Sequence, residues 1–194
     1  MYLIGVFGKI GAGKSSVINL LKRYIDAEFL YADDENRELL KQKDYVLLLK
    51  SHFSDCFVGD ELQKELLKNK IFSDEIANEK LKSLSHSIIK SRLYSKIHES
   101  KKSVIFVEVS VFVDNFLDFD EKWLITASNH KQIKRLKQRD SIDEETAKNR
   151  IQSQYLPSET YFDRIIINDG DFEQLSETIK TVVKDLKTSL NIDD

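Results

Sequence analysis

An apolar run, Tyr2 to Phe7, passes directly into Gly8-Lys9-Ile10-Gly11-Ala12-Gly13-Lys14-Ser15, and that octet directly into a stretch of helical period. It satisfies GxxxxGK[ST] in the strand-to-helix setting that a phosphate-binding loop requires. Glycines let the backbone curl so that successive N–H groups converge on phosphate oxygens, and the following helix adds its positive end. Lys14 then reaches the β and γ phosphates of a nucleotide such as ATP, Ser15 offers its hydroxyl to Mg2+, and Ser16 is a further phosphate contact. Gly8, Gly11, Ala12, Gly13, Lys14, Ser15 and Ser16 are therefore the candidate nucleotide contacts, with Lys14 also catalytic through its charge on the transferring group. Its place on a loop implies an exposed side chain of little weight in the core. Three of only six glycines fall in this octet, which argues against an idle glycine turn.

Short apolar runs alternate with longer segments of helical period along the chain, the pattern of a parallel sheet covered by helices. The strand candidates are Tyr2 to Phe7, Glu28 to Tyr31, Val104 to Val109, Lys122 to Thr126 and Arg164 to Ile167. Val17, Ile18, Leu21, Tyr24 and Ile25 share one face of a helix expected over 14–25. From Asp34 to Ser100 no strand is expected; Leu62, Leu66 and Leu67, then Leu81, Leu84, Ile88 and Ile89, mark helices separated by a loop around 54–60. A second helical stretch, 129–154, breaks at 140–142, where Ser141 and Glu144 are spaced as a capping box. The last helix, from Phe172 to about Leu190, follows Asp171, with Gln174 three residues on.

The 194 residues, 41% hydrophobic, suit one globular domain with insertions. A net charge of −3, from 33 acidic against 30 basic residues, gives no overall basic field, so nucleic acid is not an expected partner. Cys56 has no second cysteine to pair with, and the four histidines are too scattered for a zinc site. No apolar run approaches the ~20 residues of a membrane span, no secretory leader is apparent, and no obligate protein partner is evident; the expectation is a cytoplasmic protein.

A phosphate loop serves kinases, GTPases and larger ATPases alike. A guanine-reading NKxD segment is not present; the nearest string, Asn129-His130-Lys131-Gln132, lacks the aspartate. A minimal sheet with a helical insertion and a basic helical hairpin resembles the nucleoside monophosphate kinase group, whose closing lid excludes water. The expected architecture is an α/β P-loop kinase fold: a five-stranded parallel sheet flanked by helices, with a core at 1–33, 101–128 and 160–194, a helical substrate-binding insertion at 34–100 and a lid at 129–159. In the hairpin, Arg135 and Arg139 lie four apart on one face, where their forked donors could bind ATP phosphates; Arg150 follows. A solvated basic face is the alternative.

The sequence resembles the dephospho-coenzyme A kinase family over nearly its whole length. Ile4 to Ser15 matches the family's IGxTGxIGSGKS pattern, and Phe29-Leu30-Tyr31-Ala32-Asp33 falls where the family has aspartate-alanine-aspartate, with Asp33 at the second aspartate and Tyr31 replacing the first. Arg37 matches a basic position. His52-Phe53, 59–66 and Ile71-Phe72 resemble the segments around the substrate helices, with Lys64 for an arginine and His86-Ser87 for histidine-proline. Val107 to Asp114 aligns with DVPLLFE, with Glu108 for aspartate, Ser110 for proline and Asp114 for glutamate. Arg135, Arg139, Arg150-Ile151, Gln154 and the stretch 163–170, with Asn168 in a loop near adenine, match the lid and the closing motif.

The resemblance implies transfer of the γ-phosphate of ATP to the ribose 3′-hydroxyl of dephospho-coenzyme A. It implies Asp33 as the group orienting or deprotonating that hydroxyl, Arg139 on the phosphates, Arg135 and Asn168 at the nucleotide, and Ser15 with Glu108 at Mg2+. Asp33 could instead cap a helix beginning near Asp34, and Glu108 could be a satisfied carboxylate. A kinase for another nucleotide or small hydroxylated metabolite would share every phosphate-loop residue, and a non-catalytic nucleotide-dependent switch would share the fold.

Overall fold

The computed structural model describes residues 1–192, with Phe72 described in backbone only; the phenyl ring of the expected Ile71-Phe72 pair lies outside the described residues. The chain forms two compact units, 1–31 with 100–194, and 32–99.

The first unit contains β1 (Tyr2–Phe7), α1 (Lys14–Tyr24) and β2 (Glu28–Tyr31). The second unit contains α2 (Ala32–Leu39), α3 (Lys43–His52), β3 (Phe57–Val58), β4 (Glu61–Leu62), α4 (Lys64–Ser73) and α5 (Glu75–Glu99). The chain then returns to the first unit through β5 (Val104–Glu108), β6 (Glu121–Thr126), α6 (Asn129–Asp140), α7 (Glu144–Gln152), β7 (Arg164–Ile167) and α8 (Phe172–Leu190).

Strands β2, β5, β1, β6 and β7 lie in that order in one sheet, every neighbouring pair parallel. The central strand β1 is apolar almost throughout, as burial on both faces of a parallel sheet demands. On one face, Ile4, Val6, Phe106, Trp123, Ile125 and Ile166 pack against Val17, Ile18 and Leu21 of α1 and Ile179, Val183 and Leu186 of α8. Truncating one of these buried residues, Leu21→Ala for example, costs about 2–5 kcal/mol in such a setting. Phe7 meets the rings of Phe112, Phe119 and Phe162 at 5.6 to 5.9 Å between centroids. The α6–α7 hairpin has a small core of its own, Leu136, Ala147 and Ile151, joined by Ile10 of the phosphate loop.

The five strands fall where alternation placed them, within a residue at their ends. Three local expectations are corrected. The segment 34–100 does contain strands: Phe57–Val58 and Glu61–Leu62 form an antiparallel hairpin turning at Gly59, whose φ of 59° is the left-handed conformation that glycine adopts without strain. Two-residue strands are too short to carry a period. Helix α7 is capped by Asp143, whose side chain accepts from the Thr146 N–H at 2.7 Å, and not by Ser141. Ser141 itself takes the left-handed conformation that ends α6, which excludes the extended conformation an N-cap needs. Helix α2 begins at Ala32 instead of near Asp34, so Asp33 sits inside its first turn. The Asp171/Gln174 capping box of α8 forms as expected. No helix among the described residues is long and apolar enough to cross a membrane.

Candidate nucleotide site

The phosphate loop joins the carboxyl end of β1 to α1. Gly8 and Gly13 have φ of 151° and 97°, and each is also hemmed in: a Cβ on Gly8 would overlap the Ile125 carbonyl, and one on Gly13 the Asn168 amide. Glycine is therefore required at both positions for conformation and for space. The loop is closed by the Ala12 N–H donating to the Lys9 carbonyl at 3.1 Å, and α1 starts immediately after Gly13.

Lys14 folds back over the loop. Its Nζ donates to the Gly8 carbonyl at 2.8 Å and lies 3.9 Å from Glu108 Oε1. Only 9% of Lys14 is exposed, which corrects the expectation of an exposed loop lysine: the ammonium is drawn in by the strand end beside it. Glu108 is the last residue of β5, paired in register with Val6, and the ladder continues through the Val109 N–H to the Val6 carbonyl at 3.0 Å. Ser15 and Ser16, in the first turn of α1, are exposed.

The two arginines four apart on α6 have different surroundings. Arg135 turns into the loop: Nη1 donates to the Gly11 and Ala12 carbonyls, each at 3.2 Å, and Nη2 to the Asn168 carbonyl at 2.7 Å. Arg139 is 60% exposed at its side chain and binds its neighbour Asp140 through two N–H groups at 2.7 and 3.0 Å; Arg150 reaches the same carboxylate at 2.9 Å. The hydrogen bonds and charge of Arg139, with Arg150 adding its charge, hold the Asp140 carboxyl below the usual range. Asn168, directly after β7, is 4% exposed and donates to the Ala12 carbonyl at 2.9 Å.

Two glutamines complete this shell and were not singled out as site residues. The Ile10 N–H donates to Gln154 Oε1 at 2.6 Å; Gln154 was legible only as one position of the family resemblance. Gln132 is buried in the first turn of α6 and donates to the Ala127 carbonyl at 2.7 Å, while its backbone fills the space a Cβ on Gly11 would need. No sequence pattern signals it.

In the second unit, Asp33 is exposed and Asp34 is paired with Arg37. Glu35, buried on the same helix, accepts from Arg92 Nε at 2.8 Å and from Lys96, both on α5. Asp114 accepts from the Tyr161 hydroxyl at 3.2 Å in the first unit.

A model of the dephospho-CoA kinase family matches residues 2–174. The chain belongs to this family. Its members are ATP-dependent phosphotransferases, and the similarity runs the length of the chain. A dephospho-CoA kinase of Prochlorococcus marinus is 31% identical over 192 residues, covering 93% of this chain and 94% of its own. One from Lactococcus lactis is 31% identical over 210 residues, covering 92% and 95%. Among solved structures, a Thermus thermophilus protein superposes with a TM-score of 0.82 at 24% identity over 95% of this chain and 97% of the other. A dephospho-CoA kinase from Campylobacter jejuni gives 0.68 at 21% over 96% and 98%. At these identities the structural likeness establishes the P-loop kinase fold.

Proposed function

We infer that this chain transfers the γ-phosphate of ATP to the ribose 3′-hydroxyl of dephospho-coenzyme A, giving coenzyme A and ADP, the last step of coenzyme A synthesis. The observation that carries the reading is the shaped phosphate loop, with Lys14 drawn between the Gly8 carbonyl and Glu108, in a chain of this family. A cytoplasmic setting, where ATP is regenerated, suits the reaction.

The loop N–H groups and the start of α1 bind the β and γ phosphates, and Lys14 moves its ammonium from the Gly8 carbonyl onto them. Ser15 and Glu108 supply the oxygen donors that would hold Mg2+, which would neutralise phosphate charge there. The helical unit 32–99 takes the acceptor, and the α6–α7 hairpin serves as the lid. Asp33, two residues past the end of β2 in the chain, accepts the proton of the 3′-hydroxyl as its oxygen attacks the γ-phosphorus. The bond to the β-γ bridging oxygen breaks, and its electron pair leaves with ADP. Arg139, in exchange for Asp140, places its fork on the transferring phosphates.

The test is direct: purified protein with Mg2+, ATP and dephospho-coenzyme A, with coenzyme A and ADP measured, against AMP, gluconate and shikimate as alternative acceptors. Coenzyme A forms in step with ADP and the other acceptors are barely turned over. Equal turnover of another acceptor, or ADP release indifferent to any acceptor, overturns the reading.

A further inference from the structure

We propose that Arg135 is a positioning residue that holds the phosphate loop in its binding conformation from behind, with Asn168 as its partner, and is not itself a nucleotide contact. The inference rests on the ATP site proposed above and assigns a role within it.

A phosphate loop binds anions only while its N–H groups converge on the ligand, which requires its carbonyls to be turned outward and satisfied elsewhere. In this chain the Gly8, Lys9, Gly11 and Ala12 carbonyls all have partners. That of Gly8 accepts from Lys14, that of Lys9 from the Ala12 N–H, and those of Gly11 and Ala12 from Arg135. The Ala12 carbonyl also accepts from the Asn168 amide, and Arg135 returns a hydrogen bond to the Asn168 backbone carbonyl. Arg135, Asn168 and Ala12 thus form a closed triangle joining α6, the end of β7 and the loop. Gly13 has no side chain because Asn168 occupies that space. A guanidinium suits the central position because one planar group reaches three carbonyls at fixed angles, whereas an ammonium presents a point charge without that fork. Because every corner of the triangle is a protein group, it can hold the loop in shape without help from a ligand, which lowers the ordering cost of binding.

The experiment measures Kd for ATP, ADP and inorganic tripolyphosphate in wild type, Arg135→Lys, Arg135→Ala and Asn168→Ala, with melting temperature recorded for each. Tripolyphosphate probes the loop without the base. Loss of loop shape weakens all three ligands by the same factor, about tenfold or more, the scale of hydrogen bonds to a charged donor, and lysine does not rescue. Asn168→Ala gives a uniform loss of the same kind, and the double variant loses less than the product of the two, because both residues act through the Ala12 carbonyl. The KM for ATP rises while that for dephospho-coenzyme A does not. Loss confined to ATP and ADP, with tripolyphosphate unaffected, would make Arg135 a contact of the base and overturn the proposal. Wild-type affinity in Arg135→Lys would make it a charge contact and overturn it equally. If the Arg135 variants do not fold, Asn168→Ala decides: undiminished tripolyphosphate binding refutes the strut. None of these readouts depends on which acceptor is phosphorylated, so failure here is separable from failure of the proposed reaction.

Discussion

Lys14, the first residue of α1, and Glu108, the last of β5, face each other at 3.9 Å, and the lysine is nearly as buried as the core around it. The ammonium is thus held by a carboxylate and a carbonyl until a stronger anion competes for it. A polyphosphate with several charged oxygens is such a competitor in the reaction proposed above.

Lys14→Ala should accordingly do two things. Turnover falls by about a hundredfold or more, the scale for removing one preorganised donor to developing charge. Because the side chain is buried and bonded to Gly8, the variant also melts a few degrees lower, about 1 kcal/mol for the lost hydrogen bond and cationic neighbour. Kinetics and thermal melting of the same preparation check both, and full activity in a folded variant would remove the phosphate-loop argument.

Glu35 offers a prediction about stability. Burial pushes its carboxyl up, but the hydrogen bonds and charges of Lys96 and Arg92 outweigh this and leave it below 4.5. A depressed folded value contributes stability that is fully present above the unfolded value and lost as pH falls through the folded one. Glu35→Gln should therefore lower the melting temperature at pH 7 by the equivalent of about 1–2 kcal/mol, discounted for the partly exposed cations. Its gap to wild type should narrow below about pH 4.5. A gap that stays constant from pH 7 to strongly acid solution would show that the ion pairs contribute nothing.

Much of the fold was legible because its signals are local. Buried parallel strands are short apolar runs, and the Asp171/Gln174 cap lies within four residues. The cap of α7 is not legible from the Ser141/Glu144 spacing, because the turn out of α6 takes Ser141 in a left-handed conformation and leaves Asp143 to cap the helix. The Phe57–Leu62 hairpin is below the length at which alternation can be seen. Within the site, the loop residues followed from their own octet. The destination of Arg135 did not, since its partners Gly11 and Ala12 are more than 120 positions away and its neighbour Arg139, of the same type and on the same face, goes elsewhere.

That difference bears on Arg139. If its exposed fork leaves Asp140 for the transferring phosphates, Arg139→Lys should slow turnover by about tenfold while barely changing stability, because the planar two-pronged contact is lost and the surface pair is worth little. Asp140→Asn, which weakens the competing partner, should leave turnover unchanged or raise it. Stopped-flow or steady-state rates for both variants check this; unchanged kinetics in Arg139→Lys return the residue to a solvated basic face.

Asp33 carries the most mechanistic weight. Since α2 starts at Ala32, the carboxylate lies within the first helical turn and is exposed, without the N-cap duty considered from the sequence. Asparagine keeps its shape and removes its charge. The structural cost is limited to the favourable interaction of an anion with the helix start, about 0.3–1 kcal/mol, and Asp34 and Glu35 remain in the same turn. If Asp33 is the base proposed above, the chemical cost is the proton acceptor for the attacking hydroxyl, about a hundredfold or more in rate. Asp33→Asn should therefore show near-normal melting and ATP affinity with a large fall in kcat, the pattern of an interaction made only in the transition state. Turnover within twofold of wild type would leave Asp33 a surface carboxylate and require the base to be sought elsewhere. A fall in ATP affinity matching the fall in rate would mean that the charge acts on the nucleotide and not on the acceptor.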